Sequence, residues 1–335
     1  MNNQEKLTYD CIIQQLLDGK IDTGLPEYLR RSWIRYCYHY SAVENVVSIL
    51  KRGELYSRNK SRKLGIMTND NASNDVISNT KEWVKDYVRF YFRPKTPTQF
   101  HNEGFRSEAT MTPYQAHCPF PVFLLFDFKS VLDLKNCYFT NHSLAKSDQQ
   151  KMLNTPKEFW DLPFKKIYHV GYFPSECRDE IVSSRQAEII VYDKVKIAGL
   201  IKKILVRSPA ERQTLFALLG ENVSQKYSDL IQIDSKKSVF YGRWVFIENV
   251  VLSSKNVSIE FNCGEQSTVF SLKVCIKDCT NNLVKQYCTD NWLCVPKHRV
   301  HWDKPINKYE IKIFLNESLA FYDKYNQEEN TDLPF

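Results

Sequence analysis

Long hydrophobic runs are missing from this sequence. The longest, around Phe120–Phe128, is broken by Pro121 and Asp127, and a membrane helix needs roughly 20 apolar residues. The stretch Met1–Tyr9 is polar and lacks the apolar core of a secretion signal. The first absence argues against a membrane-spanning helix, and together they make a soluble, cytoplasmic protein the expectation. Paired C-x-x-C spacings are also missing, although there are ten cysteines. A chain of 335 residues, 43% of them hydrophobic, has enough apolar material for a core without disulfides. Cys263, Cys275, Cys279, Cys288 and Cys294, with His298 and His301, invite a zinc reading. Their spacing lacks the pairs of structural zinc sites, and several fall in strand-like alternation. They read as free thiols behaving as small hydrophobes, with no metal expected. Repeats and low-complexity segments are absent as well.

Charge is present but uneven. The formal net charge is +7. From Asn222 onward there are fourteen basic and fourteen acidic residues, against 32 and 25 before that point. The excess therefore belongs to the first two thirds, at Arg58, Lys60, Arg62 and Lys63 and again over Lys81–Arg106. A polyanionic partner fits such a surface, and so does a merely solvated one.

Periodicity divides the chain. Lys6–Leu17 is helical in spacing and ends near Gly19. Ile34–Tyr40 reads as a strand, followed by a helix over Ser41–Arg52. There Ser41 and Glu44 match a capping box, and Val43, Val46, Val47 and Leu50 form one apolar face. Further strands are expected at Tyr87–Phe92, Pro121–Phe128, Ile167–Tyr172, Ala187–Tyr192 and Ile201–Val206. Ser208-Pro209 starts a helix with a second S-x-x-E box to Glu211. Beyond about residue 222 apolar and polar residues alternate over Val250–Phe261, Thr268–Lys277, Leu283–Tyr287 and Tyr309–Phe314, and helical periodicity returns only in the last tail. The expected layout is α+β, with one domain over 1–221 and a smaller, mostly β domain over 222–335.

Three blocks carry candidate chemistry. They are Tyr38-His39-Tyr40-Ser41 at a strand-to-helix junction, the aromatic run Tyr87–Gly104, and Arg178–Glu180 leading to Arg185-Gln186-Ala187-Glu188 at a strand start. A helix N-terminus presents N–H groups to anions and polar ligands. Each block alone also has an ordinary explanation as a structural histidine, a core strand or a solvent-facing glutamate.

Together the blocks resemble the DarT ADP-ribosyltransferases, the toxin halves of toxin–antitoxin pairs. The resemblance rests on the Y-H-x-[ST] start, the Y-V-x-F-Y-F-x-P-[KR]-[ST]-P strand and the R-Q-A-E strand, and covers about residues 34–221. The runs Thr96–Gly104 and Arg178–Glu188 look most like the branch that modifies guanine in DNA. The resemblance implies the ADP-ribosyltransferase fold, a split mixed β core with helices holding NAD in a cleft, and no metal. It implies that His39 contacts the NAD ribose, that Ser41 holds the nicotinamide end, and that Glu188 is the catalytic glutamate. The loop Ser175–Gln186 would address the target. The full assignment takes Glu188 and Arg93 as catalytic. It takes His39, Ser41, Asn45, Arg58 and Tyr91 as cofactor-binding, and Arg89, Arg178, Arg185 and Gln186 as nucleic-acid-binding.

The residue types suit that reaction. Breaking the nicotinamide bond develops oxocarbenium character on the ribose, which a carboxylate can stabilise while also removing a proton from the attacking amine. One feature departs from the family. Some members carry an arginine pair between the first helix and the aromatic strand, where Gly65–Lys81 here has no arginine. Arg58, Arg62, Arg89 and Arg93 are the substitutes, and sequence does not choose among them. The implied co-substrate is NAD. The implied partners are DNA, or RNA in a phage-defence setting, and a cognate antitoxin of macrodomain type or one working with a chaperone. Protein modification and a catalytically silent nucleic-acid-binding module are the other readings.

Overall fold

The computed structural model describes residues 7–66, 80–107, 117–144 and 151–330. They fall into two compact units whose segments alternate along the chain. The first comprises Met1–Ser41, Arg52–His101 and Phe123–Ile204, and the second Ala42–Lys51, Asn102–Val122 and Leu205–Phe335. Helices and strands mix in the first and strands dominate the second, which is the α+β layout expected.

In the first unit, α1 (Tyr9–Asp18) is capped by Thr8, whose hydroxyl accepts the Cys11 N–H, and buries Ile12, Ile13 and Leu16. α2 (Glu27–Trp33) leads into β1 (Tyr36–Ala42). The helix expected next is α3 (Val43–Arg52), which buries Val43, Val46, Ile49 and Leu50 on one face. It lies almost wholly in the second unit. Back in the first are β2 (Glu54–Tyr56), α4 (Arg58–Lys63), β3 (Tyr87–Tyr91) and a short helix, α5 (Pro97–Asn102). They are followed by β4 (Pro121–Asp127), β5 (Cys137–Phe139), α6 (Phe164–Ile167), α7 (Arg178–Ser184), β6 (Glu188–Tyr192), β7 (Lys194–Lys196) and β8 (Ile201–Val206).

Neighbouring strands run in the order β5-β6-β3-β1-β4-β8. β3 is antiparallel to β1 on one side and to β6 on the other. The three sequence blocks, distant along the chain, thus become three adjacent strands. β3 alternates half-buried Tyr87, Arg89 and Tyr91 with buried Val88 and Phe90, as a period of two requires. Its buried side joins an aromatic core. Phe90 meets Phe126 at 5.0 Å between ring centres, and Phe159 lies among Phe92, Phe139 and Phe164 at 5.3–6.2 Å. The continuous apolar run of β4 is buried along its length except at Asp127.

One expected strand is not there. Ile167–Tyr172 leaves α6 and turns, and its carbonyls find side chains rather than a neighbouring strand. Arg93 donates to the Ile167 and His169 carbonyls and Arg185 to that of Gly171. Gly171 has φ of +81°, a left-handed conformation that ends any extended run and that glycine adopts without cost. A period-two pattern cannot reveal that two distant arginines satisfy the backbone.

In the second unit, α8 (Pro209–Leu219) has Ser208 as N-cap and Pro209 in its first turn. The expected box closes only half. Ser208 accepts the Glu211 N–H, but the Glu211 carboxylate accepts from the Arg207 N–H and forms a fully buried ion pair with its guanidinium. After β9 (Ile231–Ile233) come β10 (Phe246–Leu252), β11 (Asn256–Asn262), β12 (Val269–Lys277), β13 (Leu283–Leu293), β14 (Lys297–His301), β15 (Lys308–Leu315) and β16 (Ser318–Asn326). They make a three-stranded sheet, β10-β11-β14, and a four-stranded one, β13-β12-β15-β16. Val250–Phe261 is therefore two strands, separated where the Ser253 hydroxyl accepts the Lys255 and Asn256 N–H groups. The helix expected in the last tail is a single short turn at Gln327–Asn330, directly after β16. The ten cysteines are free, with the sulfurs of Cys263 and Cys294 3.6 Å apart. Among the described residues, no group of three or more His, Cys, Asp or Glu side chains is placed to hold a metal ion. No helix there is long and apolar enough to cross a membrane.

Candidate active site

Glu188 is the first residue of β6 and is 1% exposed. Its backbone is fixed from β5's end, where the Thr140 N–H donates to the Glu188 carbonyl at 2.9 Å and the Thr140 hydroxyl accepts the Glu188 N–H at 3.2 Å. Across the β3–β6 ladder Glu188 stands opposite Tyr91, and Arg89 opposite Ile190. Directly opposed residues share a face and Arg89 lies two residues from Tyr91, so Arg89, Tyr91 and Glu188 project together. Arg89 holds the carboxylate: Nε donates to Oε1 at 2.9 Å, and the terminal nitrogen pairs with the same oxygen. The other oxygen, Oε2, is buried and has no hydrogen-bond partner.

Burial raises the Glu188 pKa, and the charge and hydrogen bond of Arg89, with a lesser backbone contact from Leu144, work against that rise. Tyr91 is also raised, first by burial and then by the Glu188 charge. Its hydroxyl interacts with the Thr98 side chain, and the Arg58 charge pulls in the opposite direction. Arg58 is the first residue of α4, which is capped by Ser57 and tied to the end of β6 by the Lys60–Asp193 ion pair and the bond from the Ser57 N–H to the Asp193 carbonyl. His39, on β1, has Nδ1 3.1 Å from the Arg89 carbonyl and packs edge-on against Phe90. A carbonyl only accepts, so Nδ1 carries the proton and Nε2 keeps its lone pair. Burial lowers the His39 pKa, which favours this neutral form.

The structure thus brings Arg58, Arg89, Tyr91 and Glu188 together on one face of β3 in the first unit, while His39, on the neighbouring β1 and in register with Phe90, meets β3 through the Arg89 carbonyl. The other expected residues have partners and places of their own. Arg93 is buried, with its guanidinium over the Trp33 ring at 4.9 Å and its donors on the Pro94, Ile167 and His169 carbonyls. Arg185 donates to His169 Nδ1 at 2.8 Å and to the Gly171 carbonyl, and lies 4.8 Å from the Phe173 ring centre. Arg178 is exposed at the start of α7, a helix within the segment read as a loop, and Gln186 is half-buried. Ser41 is buried at the penultimate position of β1. Asn45 lies in the first turn of α3, in the second unit. The interval without arginine lies mostly outside the described residues, at 67–79.

Sequence reasoning missed Thr140, which no motif marks. It placed Arg89 with the nucleic acid, although its spacing from Tyr91 on a strand was the available signal that the two share a face. In the second unit, the run ending at Gly104 has a structural part. Glu103 accepts the Tyr241 and Gly242 N–H groups. A Cβ on Gly104 would come within 2.7 Å of Trp244 Cβ.

No curated protein matches the chain. Among solved structures, Thermus sp. 2.9 DarT in complex with ADP-ribosylated ssDNA is 21% identical with a TM-score of 0.48, covering 62% of this chain and 96% of that one. Thermus sp. 2.9 DarT in complex with NAD+ is 21% identical with a TM-score of 0.46, covering 62% and 98%. Thermosipho africanus DarTG in complex with ADP-ribose is 14% identical with a TM-score of 0.47, covering 65% and 53%. The family model described as ssDNA thymidine ADP-ribosyltransferase, DarT, matches residues 38–241, which contain all three sequence blocks, and the chain belongs to that family.

Proposed function

We propose that this chain transfers ADP-ribose from NAD to a base of single-stranded DNA, with Glu188 as the catalytic carboxylate and Arg89 as its assisting arginine. The observation that carries the reading is Glu188 itself. It is a buried carboxylate with Oε1 held by Arg89 and Oε2 left without a partner. An orphaned buried acceptor costs stability, and a ribose hydroxyl of NAD is a donor of the kind it lacks. NAD supplies an activated ribose whose bond to nicotinamide breaks as the bond to the base forms. Glu188 stabilises the positive charge that develops there and takes the proton that the attacking base nitrogen gives up. Arg89 keeps that carboxylate ionised and aimed. His39, neutral and with Nε2 free to accept, holds a second hydroxyl, and Tyr91 and Arg58 bind beside it. Arg93 is assigned no part in the chemistry on this reading, because Nε and one terminal nitrogen donate to backbone carbonyls.

The acceptor base is proposed as guanine, on the resemblance of Arg178–Glu188. Thymidine, the base in the family's description, is the alternative. The test is incubation of the protein with NAD and single-stranded DNA oligonucleotides carrying either guanine or thymine as the one acceptor, read by mass spectrometry. A gain of one ADP-ribose on the guanine strand supports the full proposal. A gain on the thymine strand alone keeps the DNA reaction and overturns the base. Transfer to RNA only, or to neither strand, overturns the DNA reading. A cytoplasmic site of action and control by a cognate antitoxin are proposed with it, on the family resemblance.

A further inference from the structure

Tyr172 is 89% exposed, more than any other large hydrophobic residue described. Singly exposed aromatics are ordinary on loops that move. The loop carrying Tyr172 is instead fastened on both sides. Arg93 holds the carbonyls of Ile167 and His169. Arg185 holds His169 Nδ1 and the Gly171 carbonyl, and its guanidinium covers the Phe173 ring. His169 and Phe173 meet edge to face at 5.8 Å. Gly171, at φ +81°, makes the turn immediately before Tyr172. Both residues flanking Tyr172 are therefore tied to an arginine, and its ring faces water.

The arginines that do the pinning belong to the segments that carry the site. Arg93 lies two residues beyond Tyr91, and Arg185 three residues before Glu188. A single strand presented to Glu188 carries unpaired bases on either side of the reacting one. Stacking on an aromatic ring is the contact such bases make irrespective of sequence, and a ring carried on a fastened backbone loses less freedom in making it than one on a mobile loop.

We propose that Tyr172 is a positioning residue, stacking on a base that flanks the one modified. The inference rests on the DNA reading above and adds to it how the strand is aligned.

The test is steady-state transfer with a single-stranded DNA oligonucleotide, comparing wild type with Tyr172→Ala, Tyr172→Phe and a control, Tyr28→Ala, whose tyrosine is 72% exposed in the same unit. Nicotinamide release without DNA reports the NAD site separately. Tyr172→Ala is expected to raise KM for the oligonucleotide by roughly tenfold, leaving basal nicotinamide release and melting temperature unchanged. Tyr172→Phe keeps the ring and the wild-type KM, and Tyr28→Ala changes nothing. Abasic substitutions walked along the strand should then find one flanking position that weakens wild type and leaves Tyr172→Ala unaffected. Equal KM for wild type and Tyr172→Ala, with wild type active on DNA, overturns this inference alone. A wild-type protein that labels no DNA overturns both it and the reading beneath it.

Discussion

Replacing Arg89 by methionine separates the two jobs that the Arg89–Glu188 pair performs. Methionine keeps a long flexible side chain and deletes the charge. Two unit charges about 4 Å apart interact by about 4 kcal/mol at an effective dielectric of about 20. The Arg89 side chain is 30% exposed, so water screens part of this, and about 2 kcal/mol is a reasonable remainder. At about 1.4 kcal/mol per tenfold, loss of the charge strengthens proton binding at Glu188 by roughly 30-fold. Burial already raises the Glu188 pKa and Arg89 opposes it, so Arg89→Met moves it further up. The ionised carboxylate is the working form. The acid limb of kcat in Arg89→Met should therefore lie more than one pH unit above that of wild type, with activity recovering in alkali. Stability follows the same sign. A carboxylate with a raised folded-state pKa favours the fold at low pH, and that contribution is lost as pH rises through the folded value. Arg89→Met should accordingly lose more melting temperature at neutral pH than in acid. An acid limb unmoved from wild type, or a loss of activity equal at every pH, would refute this view of the pair.

Three further outcomes are expected. His39→Ala should raise KM for NAD by roughly tenfold, about the worth of one hydrogen bond at a bound ligand, with little change in melting temperature; a large stability loss without a selective NAD effect would make His39 structural. Activity should fall steeply with added salt, since phosphate contacts release counterions; a flat response between low and physiological salt would point to a protein or small-molecule acceptor. A fragment ending at residue 221 should fail to fold, as judged by circular dichroism. α8 packs Ala210 and Leu215 into the interior of the second unit, and it bonds Ser208 to the Ile247 carbonyl, Thr214 to the Tyr322 N–H and Gln213 to Asp323. A soluble, cooperatively folded fragment would show that these contacts are dispensable.

The residues differ in how much of their part the sequence revealed. Glu188 at a strand start, His39 on the strand before a helix and the alternation of β3 were legible, because local periodicity and a family pattern both mark them. Which strands flank β3 was not. That depends on long-range pairing, and without it the choice among Arg58, Arg62, Arg89 and Arg93 stayed open. Once β6 lies beside β3, Arg89 reaches Glu188 and Arg93 turns to the backbone of residues 167–169. The same blindness made Ile167–Tyr172 look like a strand, since side chains far away in sequence satisfy its carbonyls. The alternating strands beyond residue 245 were easier, because one buried and one wet face write a period of two directly into composition. Interleaving of the two units is invisible to any reading along the chain, as segments 42–51 and 102–122 carry no compositional mark of the unit they join.

The most direct measurement compares wild type with Glu188→Gln on single-stranded DNA and NAD, following both nicotinamide release and the mass of the strand. Glutamine keeps the volume but can neither take a proton nor carry the charge that stabilises the developing cation. Wild type should add ADP-ribose to a base, and Glu188→Gln should lose at least about 100-fold in rate while still unfolding in one cooperative transition. Labelling of DNA by Glu188→Gln at the wild-type rate would contradict the assignment of Glu188 as the catalytic group.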